Sequence, residues 1–285
     1  MSFRPCAVLR KKLSSSSQSW LARQSRDPYV KQRVSSPTSY RSRSAFKLLE
    51  LDKGQKHFLS NSDVRAVVDL GAAPGGWSQV VAEKLGWVTP CTPENSYADL
   101  MPDFGLSDLA RIEKFGSWSS NVGRGVIVAV DLLPIAPIPG VHTLQMDFLS
   151  PRAADAIKAA LTTPENPSGM ADVILSDMAA NFTGNKAHDV EMSLDICHSV
   201  FEFAINNLNV REVHEGVLTK RGGTLLLKHF DHPLSQEFRV KYLKPNFLSV
   251  NYIKPSASRA ESAEGYWLCR GWKGVESSPP LPTDE

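Results

Sequence analysis

Four short apolar segments of this chain each end at or beside a charged residue, and this pattern constrains the fold more than any other feature. The segments are VRAVVDLG (64–71), GVIVAVD (125–131), ADVILSD (171–177) and GGTLLLKHF (222–230). Apolar residues at consecutive positions are typical of strands buried on both faces of a parallel sheet. Segments with helical spacing alternate with them, at 72–86, 151–163 and 188–208. The alternation predicts an α/β protein with a Rossmann-like fold, in which helices cover both faces of a mostly parallel central sheet.

The charged strand ends predict a functional site. Sheets of this kind bind ligands at the carboxyl ends of their strands. Asp69, Asp131, Asp177 and Lys228 all fall at such ends. A buried ammonium group is costly unless it is paired, so we expect Lys228 to lie among carboxylates on one rim of the sheet.

Weaker patterns predict the remaining elements. A short helix is expected over 42–54, with Ser42 or Ser44 as its cap and Lys47 off its apolar stripe. Further strands are expected at 142–148, 247–253 and 264–271, and a further helix near 234–242.

Composition sets the domain boundaries. Residues 27–273 are expected to form one domain, interrupted at about 89–122 by an insertion with a short helix near 107–115. The Pro-rich, acidic segment 274–285 is expected to be a disordered tail. Residues 1–26 hold six basic residues, many serines and no acid, which is typical of a mitochondrial transit peptide; a disordered tail is the alternative.

Charge is unevenly distributed along the chain. Residues 1–60 hold thirteen Lys and Arg against three acids, a net charge of +10, and because the whole chain carries +2 the other 225 residues carry −8. A basic arm of this kind indicates a targeting segment or a contact with a polyanion.

No run of about 18 apolar residues occurs, so no membrane contact is expected. The four cysteines lack CxxC spacing, so neither a metal site nor a disulfide framework is expected.

The turn after the first predicted strand, DLGAAPGGW (69–77), indicates a ligand but does not identify it. It is neither the dinucleotide GxGxxG nor a P-loop. Glycines such as Gly71 let backbone approach a ligand closely, although a tight strand-to-helix connection is the alternative. Asp131 after the second strand suits ribose hydroxyls, and Asp147 in QMDF is placed to receive an amino group. Both acids could instead be helix caps or turn formers.

Several motifs together carry a family resemblance. They are DLGAAPGGWSQV, VDLLPI, QMDF, LSDMAAN, LLLKHF and KPSASRAESAEGYWL. In content and order they resemble the FtsJ family of heat-shock-type ribosomal RNA methyltransferases, over about residues 28–88 and 123–273. With the amino-terminal segment, the chain is similar to the mitochondrial branch, which implies a matrix protein that methylates a uridine 2′-hydroxyl of large-subunit rRNA. Two departures are Ala180, where a proline is common, and residues 89–122, which have no counterpart in the compact bacterial enzymes.

The resemblance implies S-adenosylmethionine as cofactor. Its binding residues would be the glycine-rich turn and the acids after the neighbouring strands: Gly71, Pro74, Gly75, Gly76, Trp77, Asp131, Asp147, Phe148 and, near the methionine end, Asp177. The family's catalytic Lys-Asp-Lys-Glu set would fall on Lys47, Asp177, Lys228 and Glu264, with Glu261 as a rival for the last role. No metal is implied.

The residues leave the role of Lys228 open. It acts either as the general base that removes the hydroxyl proton, or as a charged group that positions the hydroxyl and stabilises the developing alkoxide. Methyl transfer itself requires the reacting atoms in line, so the protein mainly has to orient them.

The basic amino-terminal segment offers phosphate contacts. Candidates for RNA binding are Arg33, Arg41, Arg43, Lys53 and Lys56, with solubilising charge as the alternative. The expected partner is large-subunit rRNA or a precursor ribosomal subunit, bound by a monomer. Two other functions remain open: a nicotinamide oxidoreductase with the same sheet, and a non-catalytic RNA-binding ribosome assembly factor.

Overall fold

The structure, a computed structural model, describes residues 27–35, 40–89, 119–120, 122–180, 183–215, 217–259 and 262–274. The predicted transit peptide 1–26, nearly all of the insertion with its predicted helix near 107–115, Glu261 and the tail after residue 274 lie outside the described residues.

Strands and helices alternate along the chain as predicted. The strands are β1 (Ala66–Leu70), β2 (Val88–Thr89), β3 (Ser119–Ser120), β4 (Val126–Asp131), β5 (Val141–Gln145), β6 (Val173–Ser176), β7 (Glu212–His214), β8 (Val217–Lys220), β9 (Thr224–Phe230), β10 (Phe247–Ile253) and β11 (Glu264–Trp272). The helices are α1 (Pro28–Ser35), α2 (Ser44–Gly54), α3 (Gly76–Lys84), α4 (Ala153–Leu161), α5 (Lys186–Asn207), α6 (Pro233–Phe238) and the single turn α7 (Lys244–Asn246). A 3₁₀ turn lies at Phe58–Ser60 and a π-helical turn at Arg239–Leu243.

Seven strands form the central sheet, in the order β10-β11-β9-β6-β1-β4-β5. Strand β1 pairs in parallel with β4 and β6, and β5 and β9 extend the parallel part on either side. Only β11 runs antiparallel, between β9 and β10. The predicted mostly parallel α/β sheet is therefore confirmed. Strand order reverses between β1 and β6, and such a switch point opens a crevice for a ligand at the strands' carboxyl ends.

Strand β9 shows why the central segments are continuously apolar. Leu225 and Leu227 pack into a hydrophobic cluster on one sheet face, with residues of α4 and α5, and Leu226 packs into the cluster on the other face, with residues of α2 and α3. All three side chains are fully buried. A strand covered on both faces has no exposed side, so it needs apolar residues at successive positions until it reaches the rim.

Helix α2 begins two residues later than predicted and without a serine cap. Arg43 is its N-cap residue and makes no side-chain capping bond, so the cap predicted at Ser42 or Ser44 is wrong. Their hydroxyl oxygens instead lie 2.7 Å apart in a mutual hydrogen bond. The Ser42 side chain packs against Gly76, where an added Cβ would lie 2.1 Å from the Ser42 Oγ atom. Tertiary packing has therefore taken over the serine that local sequence assigns to capping.

Helix α1 and the β7–β8 hairpin are among the elements that were not predicted. Helix α1 lies in a segment with no clear apolar period, and it is held by Tyr29, whose ring lies 5.6 Å from that of Phe46. The β7–β8 hairpin exposes most of its side chains, so it lacks the alternation by which a half-buried strand is recognised. No helix in the described part of the chain is long and apolar enough to cross a membrane.

The two-faced burial of β9 predicts a large cost for truncating Leu226. Leu226→Ala should lower the free energy of unfolding by about 2–5 kcal/mol, because it removes buried methyl groups and leaves a cavity. Urea unfolding followed by circular dichroism measures this. The matched Leu248→Ala, at a side chain that is 57% exposed on β10, should cost less than about 1 kcal/mol. Equal losses in the two variants would contradict the assigned core.

Candidate active site

Four charged side chains from four separate elements meet at the carboxyl rim of the sheet. Lys47 comes from α2, Asp177 follows β6, Lys228 lies in β9 and Glu264 begins β11. The antiparallel register places Tyr266 of β11 directly opposite Lys228. Side chains two residues apart on a strand share a face, so Glu264 and Tyr266 both lie beside Lys228.

The charges alternate along a chain of short contacts. Lys47 Nζ lies 2.8 Å from Glu264 Oε1, and Lys228 Nζ lies 3.8 Å from Glu264 Oε2. Lys228 Nζ also lies 3.2 Å from Asp177 Oδ1 and donates to the Asp177 carbonyl oxygen at 3.3 Å. The four side chains are only 11–17% exposed. Each cation therefore has a carboxylate partner, which offsets the cost of burying it.

Tyr266 completes this arrangement, and it was not predicted as a site residue. Its hydroxyl donates to Asp177 Oδ1 at 2.7 Å, the same oxygen that pairs with Lys228. Its ring lies 5.9 Å from Lys47 Nζ and 5.8 Å from the ring of Trp77. The spacing Glu264-x-Tyr266 in a strand was the available signal, because it places both residues on one face.

Opposing effects act on the Glu264 carboxyl group. Burial alone would raise the pKa of Glu264, but the charge and hydrogen bond of Lys47, with the charge of Lys228, bring the pKa below its usual value. Glu264 is therefore ionised at neutral pH, and its carboxylate pairs with the ammonium groups of Lys47 and Lys228.

Lys47 is held in place by an ion pair and hydrogen bonds that anchor α2. Arg43 forms an ion pair with Asp27 and donates to the Ala257 carbonyl oxygen. Glu50 accepts from the Tyr29 hydroxyl at 2.8 Å and from the Ala257 amide at 3.0 Å. These bonds tie α2 to α1 and to the loop before β11. The Lys47 side chain is 12% exposed, so it does not lie on a solvated helix face.

The glycine-rich turn is shaped by packing within the protein. Gly71 has φ +75°, and an added Cβ would lie 2.6 Å from the side chain of Met178. Gly75 has φ +107° and precedes α3, whose first residue is Gly76. Pro74 is exposed, and its carbonyl oxygen accepts from Arg41 Nη1 at 3.4 Å. The close approach of other atoms to the backbone of these glycines is thus required by packing within the protein.

Trp77, a predicted cofactor contact, has a buried indole ring. Its side chain is 2% exposed, and its indole nitrogen donates to the Ser44 carbonyl oxygen at 2.8 Å. The ring lies between α2 and Tyr266, so it anchors the glycine-rich turn to α2, and its role in cofactor binding stays a prediction.

The acids after β4 and β5 shape turns. Asp131 Oδ2 accepts from the Ala73 amide at 2.9 Å, and Oδ1 accepts from the Leu133 amide at 2.8 Å. Asp147 Oδ1 accepts from the Leu149 amide at 2.9 Å and is exposed. A carboxylate has about four acceptor positions, so both acids retain capacity for a ligand. Phe148 is half-buried, and its ring lies 5.5 Å from that of Phe203.

Two residues beside the site do not face it. Asp69 is fully buried below the rim and accepts from the Ser78 hydroxyl at 2.6 Å, so its predicted place on the rim is wrong. Burial raises the pKa of Asp69 to about 7, and the charges of Asp177 and Asp131 act in the same direction. His229 stacks on Trp267 with 3.6 Å between ring centroids, and burial lowers its pKa to about 4.

Within the described residues, no group of three or more His, Cys, Asp and Glu is arranged to hold a metal ion.

The predicted RNA-binding residues occupy different environments. Arg41 donates to the carbonyl oxygens of Ala136 and Pro137, and Arg43 is engaged with Asp27. Lys53 and Lys56 are exposed. Arg33 belongs to α1, but its side chain lies outside the described residues.

Comparison with known proteins assigns the chain to a class. A family profile described as FtsJ-like methyltransferase matches residues 40–272. A Rhodopseudomonas palustris protein named ribosomal RNA large subunit methyltransferase E is 37% identical over 270 residues, which cover 95% of this chain and 91% of that protein. A Xanthobacter autotrophicus protein of the same name is 39% identical over 274 residues, with 95% and 86% covered. A crystal structure of a ribosomal RNA methyltransferase from Plasmodium falciparum has the same fold, with a TM-score of 0.57, 24% identity, and coverage of 83% of this chain and all of that one.

The sheet with its switch point and the lysine–carboxylate cluster on its carboxyl rim thus define a Rossmann-like methyltransferase. The chain belongs to the FtsJ-like methyltransferase family. This membership confirms the predicted family and excludes the nicotinamide oxidoreductase.

The ion pairs of Glu264 predict a pH-dependent contribution to stability. Glu264→Gln should lower the free energy of unfolding by about 2 kcal/mol at pH 7, because it leaves Lys47 buried without a charged partner. Since folding lowers the pKa of this carboxyl group, its contribution is complete above the unfolded value, near 4.5, and is lost as pH falls through the folded value. Urea unfolding between pH 7 and pH 4 measures the difference from wild type.

The control for this measurement is Glu237→Gln, at an exposed glutamate of α6. It should change stability by less than about 0.5 kcal/mol at every pH. If the Glu264→Gln difference stayed constant down to pH 4, the ion pair would not be its cause.

Proposed function

We propose that this protein transfers a methyl group from S-adenosylmethionine to a uridine ribose 2′-hydroxyl of mitochondrial large-subunit rRNA. The observation that carries the proposal is the buried cluster of Lys47, Asp177, Lys228 and Glu264 at the switch point of a methyltransferase sheet. The rRNA substrate is further supported by the bacterial relatives, which are named for large-subunit rRNA methylation.

The rim suits an elongated cofactor. Asp177, Gly71, Asp131 and Asp147 follow four neighbouring strands in the order β6, β1, β4, β5. Neighbouring strands lie about 4.8 Å apart, so this row spans about 14 Å. A methionine end near Asp177, a ribose near Asp131 and an adenine near Asp147 would follow the row. When bound, S-adenosylmethionine supplies an electrophilic methyl group on a sulfonium sulfur.

Lys228 is the group that contacts the substrate hydroxyl. Its ammonium is fixed between Asp177 and Glu264, so its position is set before the RNA binds. A fixed donor aimed at the attacking oxygen stabilises negative charge as it develops there, without reorganisation. If Lys228 instead gives up its own proton, the same geometry places the amine to accept the proton of the hydroxyl.

The 2′-hydroxyl distinguishes RNA from DNA, so the chemistry and the substrate class depend on the same atom. The two carboxylates of the cluster, Asp177 and Glu264, would repel a phosphate backbone, but each is paired with a lysine. The local charge of the cluster is therefore balanced, and RNA can approach.

Removing the Lys228 amine should abolish methylation without unfolding the protein. In cells whose only copy carries Lys228→Ala, mapping of 2′-O-methylation should show the loss of one modified uridine in mitochondrial large-subunit rRNA, and the rate in vitro should fall by about 10²–10⁴. The control Lys158→Ala, at an exposed lysine of α4, should retain the modification. An unchanged methylation map with Lys228→Ala would leave the protein as an assembly factor that binds RNA without catalysis.

The two roles of Lys228 separate in the variant Lys228→Arg. Arginine keeps the positive charge but does not deprotonate near neutral pH. A rate near that of wild type at pH 7 would exclude the general base.

We further propose that residues 1–26 direct the protein to the mitochondrial matrix. What supports this is their composition, with six basic residues and no acid. A fusion of residues 1–40 to a fluorescent protein should be imported and should co-fractionate with matrix markers. The same fusion with Arg10, Lys11 and Lys12 changed to Glu should stay outside. Import of both fusions, or of neither, would contradict this role.

A further inference from the structure

A second concave site lies at the other rim of the sheet, opposite to the rim that carries the catalytic cluster. It is a groove of about 610 Å³, lined by residues from the end of α2, from the β7–β8 hairpin and from β9, β10 and β11. Thr224 begins β9 and lines the groove, while Lys228, four residues later, lies at the catalytic rim. Four residues of a strand span about 13 Å, so the groove is distinct from the active site.

Cationic side chains dominate the groove. Lys56, Arg211, Arg221 and Arg270 line it, and no Asp or Glu is among the described residues that do so. Two carboxylates lie near the groove but do not line it. Asp63 lies 3.5 Å from Arg221 in an exposed pair, and the charge of buried Asp52 acts on Arg270. A concave surface with several cations and few carboxylates attracts an anionic ligand.

Two of these guanidinium groups are incompletely satisfied. The Nε atoms of Arg211 and Arg270 are buried, and neither has a hydrogen-bond partner among the described residues. Burial also lowers the pKa of Arg270, whose Nη2 donates to the carbonyl oxygen and the side-chain oxygen of Gln55. Buried donors without partners are uncommon in folded proteins, and an anion close to these donors would relieve the cost.

The backbone at the mouth of the groove supports a binding role. Lys56 and His57 both adopt left-handed conformations, with φ +59° and +51°. Consecutive non-glycine residues of this kind are strained, and such strain concentrates at binding sites. The turn places Lys56 at the groove.

The groove also has apolar parts. Leu218 is 49% exposed and Leu248 is 57% exposed, and both line it. Apolar surface beside guanidinium groups suits a ligand that combines a flat ring with a phosphate. A nucleotide has this combination, and guanidinium groups pair with phosphate in a bidentate manner.

We infer that this groove binds the phosphate backbone and an unpaired nucleotide of the rRNA substrate, away from the methylated residue. Because the occupant is rRNA, the groove's role depends on the proposed function. Helix α2 joins the two sites, since Lys47 reaches the catalytic cluster and Gln55, about 12 Å further along the helix axis, lines the groove. RNA held in the groove would therefore extend along this side of the protein to the catalytic rim.

Charge reversal at the two exposed cations tests this inference. In the full-length protein, Lys56→Glu combined with Arg221→Glu should weaken binding of large-subunit rRNA, taken from cells that lack the enzyme, by about tenfold or more. The slope of log Kd against log salt should fall by about 1.5, since each phosphate contact contributes about 0.7–0.9. Fluorescence anisotropy over a salt series measures both. Affinity for S-adenosylmethionine and the unfolding midpoint should stay unchanged, because Lys56 is exposed and the Arg221 side chain is 65% exposed.

The matched control is Lys158→Glu, a charge reversal at an exposed lysine of α4, which packs on the sheet face opposite to α2, and it should bind rRNA as wild type does. If the double variant also bound rRNA normally, the groove inference would be overturned while the proposed substrate stood, and the groove would serve some other partner. If wild type had no affinity for rRNA, the proposed function and the inference would both fail.

Crosslinking gives a readout that needs no substitution. Wild-type protein irradiated with rRNA that carries photoreactive uridines should form adducts within residues 217–222 or 248–249. Adducts confined to the catalytic rim would overturn the inference.

Discussion

The structure depends on pairing two buried ammonium groups with two carboxylates at the switch point of the sheet. Lys228 follows three fully buried leucines of β9, and an unpaired charge there would cost several kcal/mol. Glu264 contacts both lysines, and Asp177 holds Lys228 from the other side. Each partner comes from a different element, so the cluster forms only when α2, β6, β9 and β11 are all in place. The catalytic geometry and the correct assembly of the sheet are therefore one requirement.

The antiparallel strand β11 positions two of the side chains at this site. Its register against β9 places Tyr266 opposite Lys228, and its first residue is Glu264. A parallel strand at this position would begin at the opposite rim, far from the cluster. The single antiparallel strand thus supplies a carboxylate and a hydroxyl where the parallel strands supply Asp177 and Lys228. Tyr266 shares an oxygen of Asp177 with Lys228, so it limits how far that carboxylate can move.

Much of the fold could be predicted from sequence because the buried strands carry strong local signals. The segment GGTLLLKHF is apolar until it reaches the rim, and β9 ends there. The four residues predicted to be catalytic were reached through motif resemblance, and the structure brings all four together. What local patterns could not show was the use of residues in tertiary contacts: Ser42 packs on Gly76 instead of capping α2, the Trp77 indole donates to the backbone of α2, and Asp69 is buried below the rim. The basic groove could not be predicted, because its cations come from the end of α2, from both sides of the β7–β8 hairpin and from β11, and they meet only in the folded chain.

The most direct test of the central claim is a crystal structure of the protein with S-adenosylmethionine, in which the distance from Lys228 Nζ to the transferable methyl carbon is measured. Reacting atoms approach to about 3–3.5 Å, and an amine that serves the attacking oxygen lies within hydrogen-bond reach of it. A distance of about 4–6 Å, with Asp177 and Glu264 still paired to Lys228, is the predicted result. A cofactor bound elsewhere on the sheet, or an amine directed into solvent more than about 10 Å from the methyl group, would contradict the account.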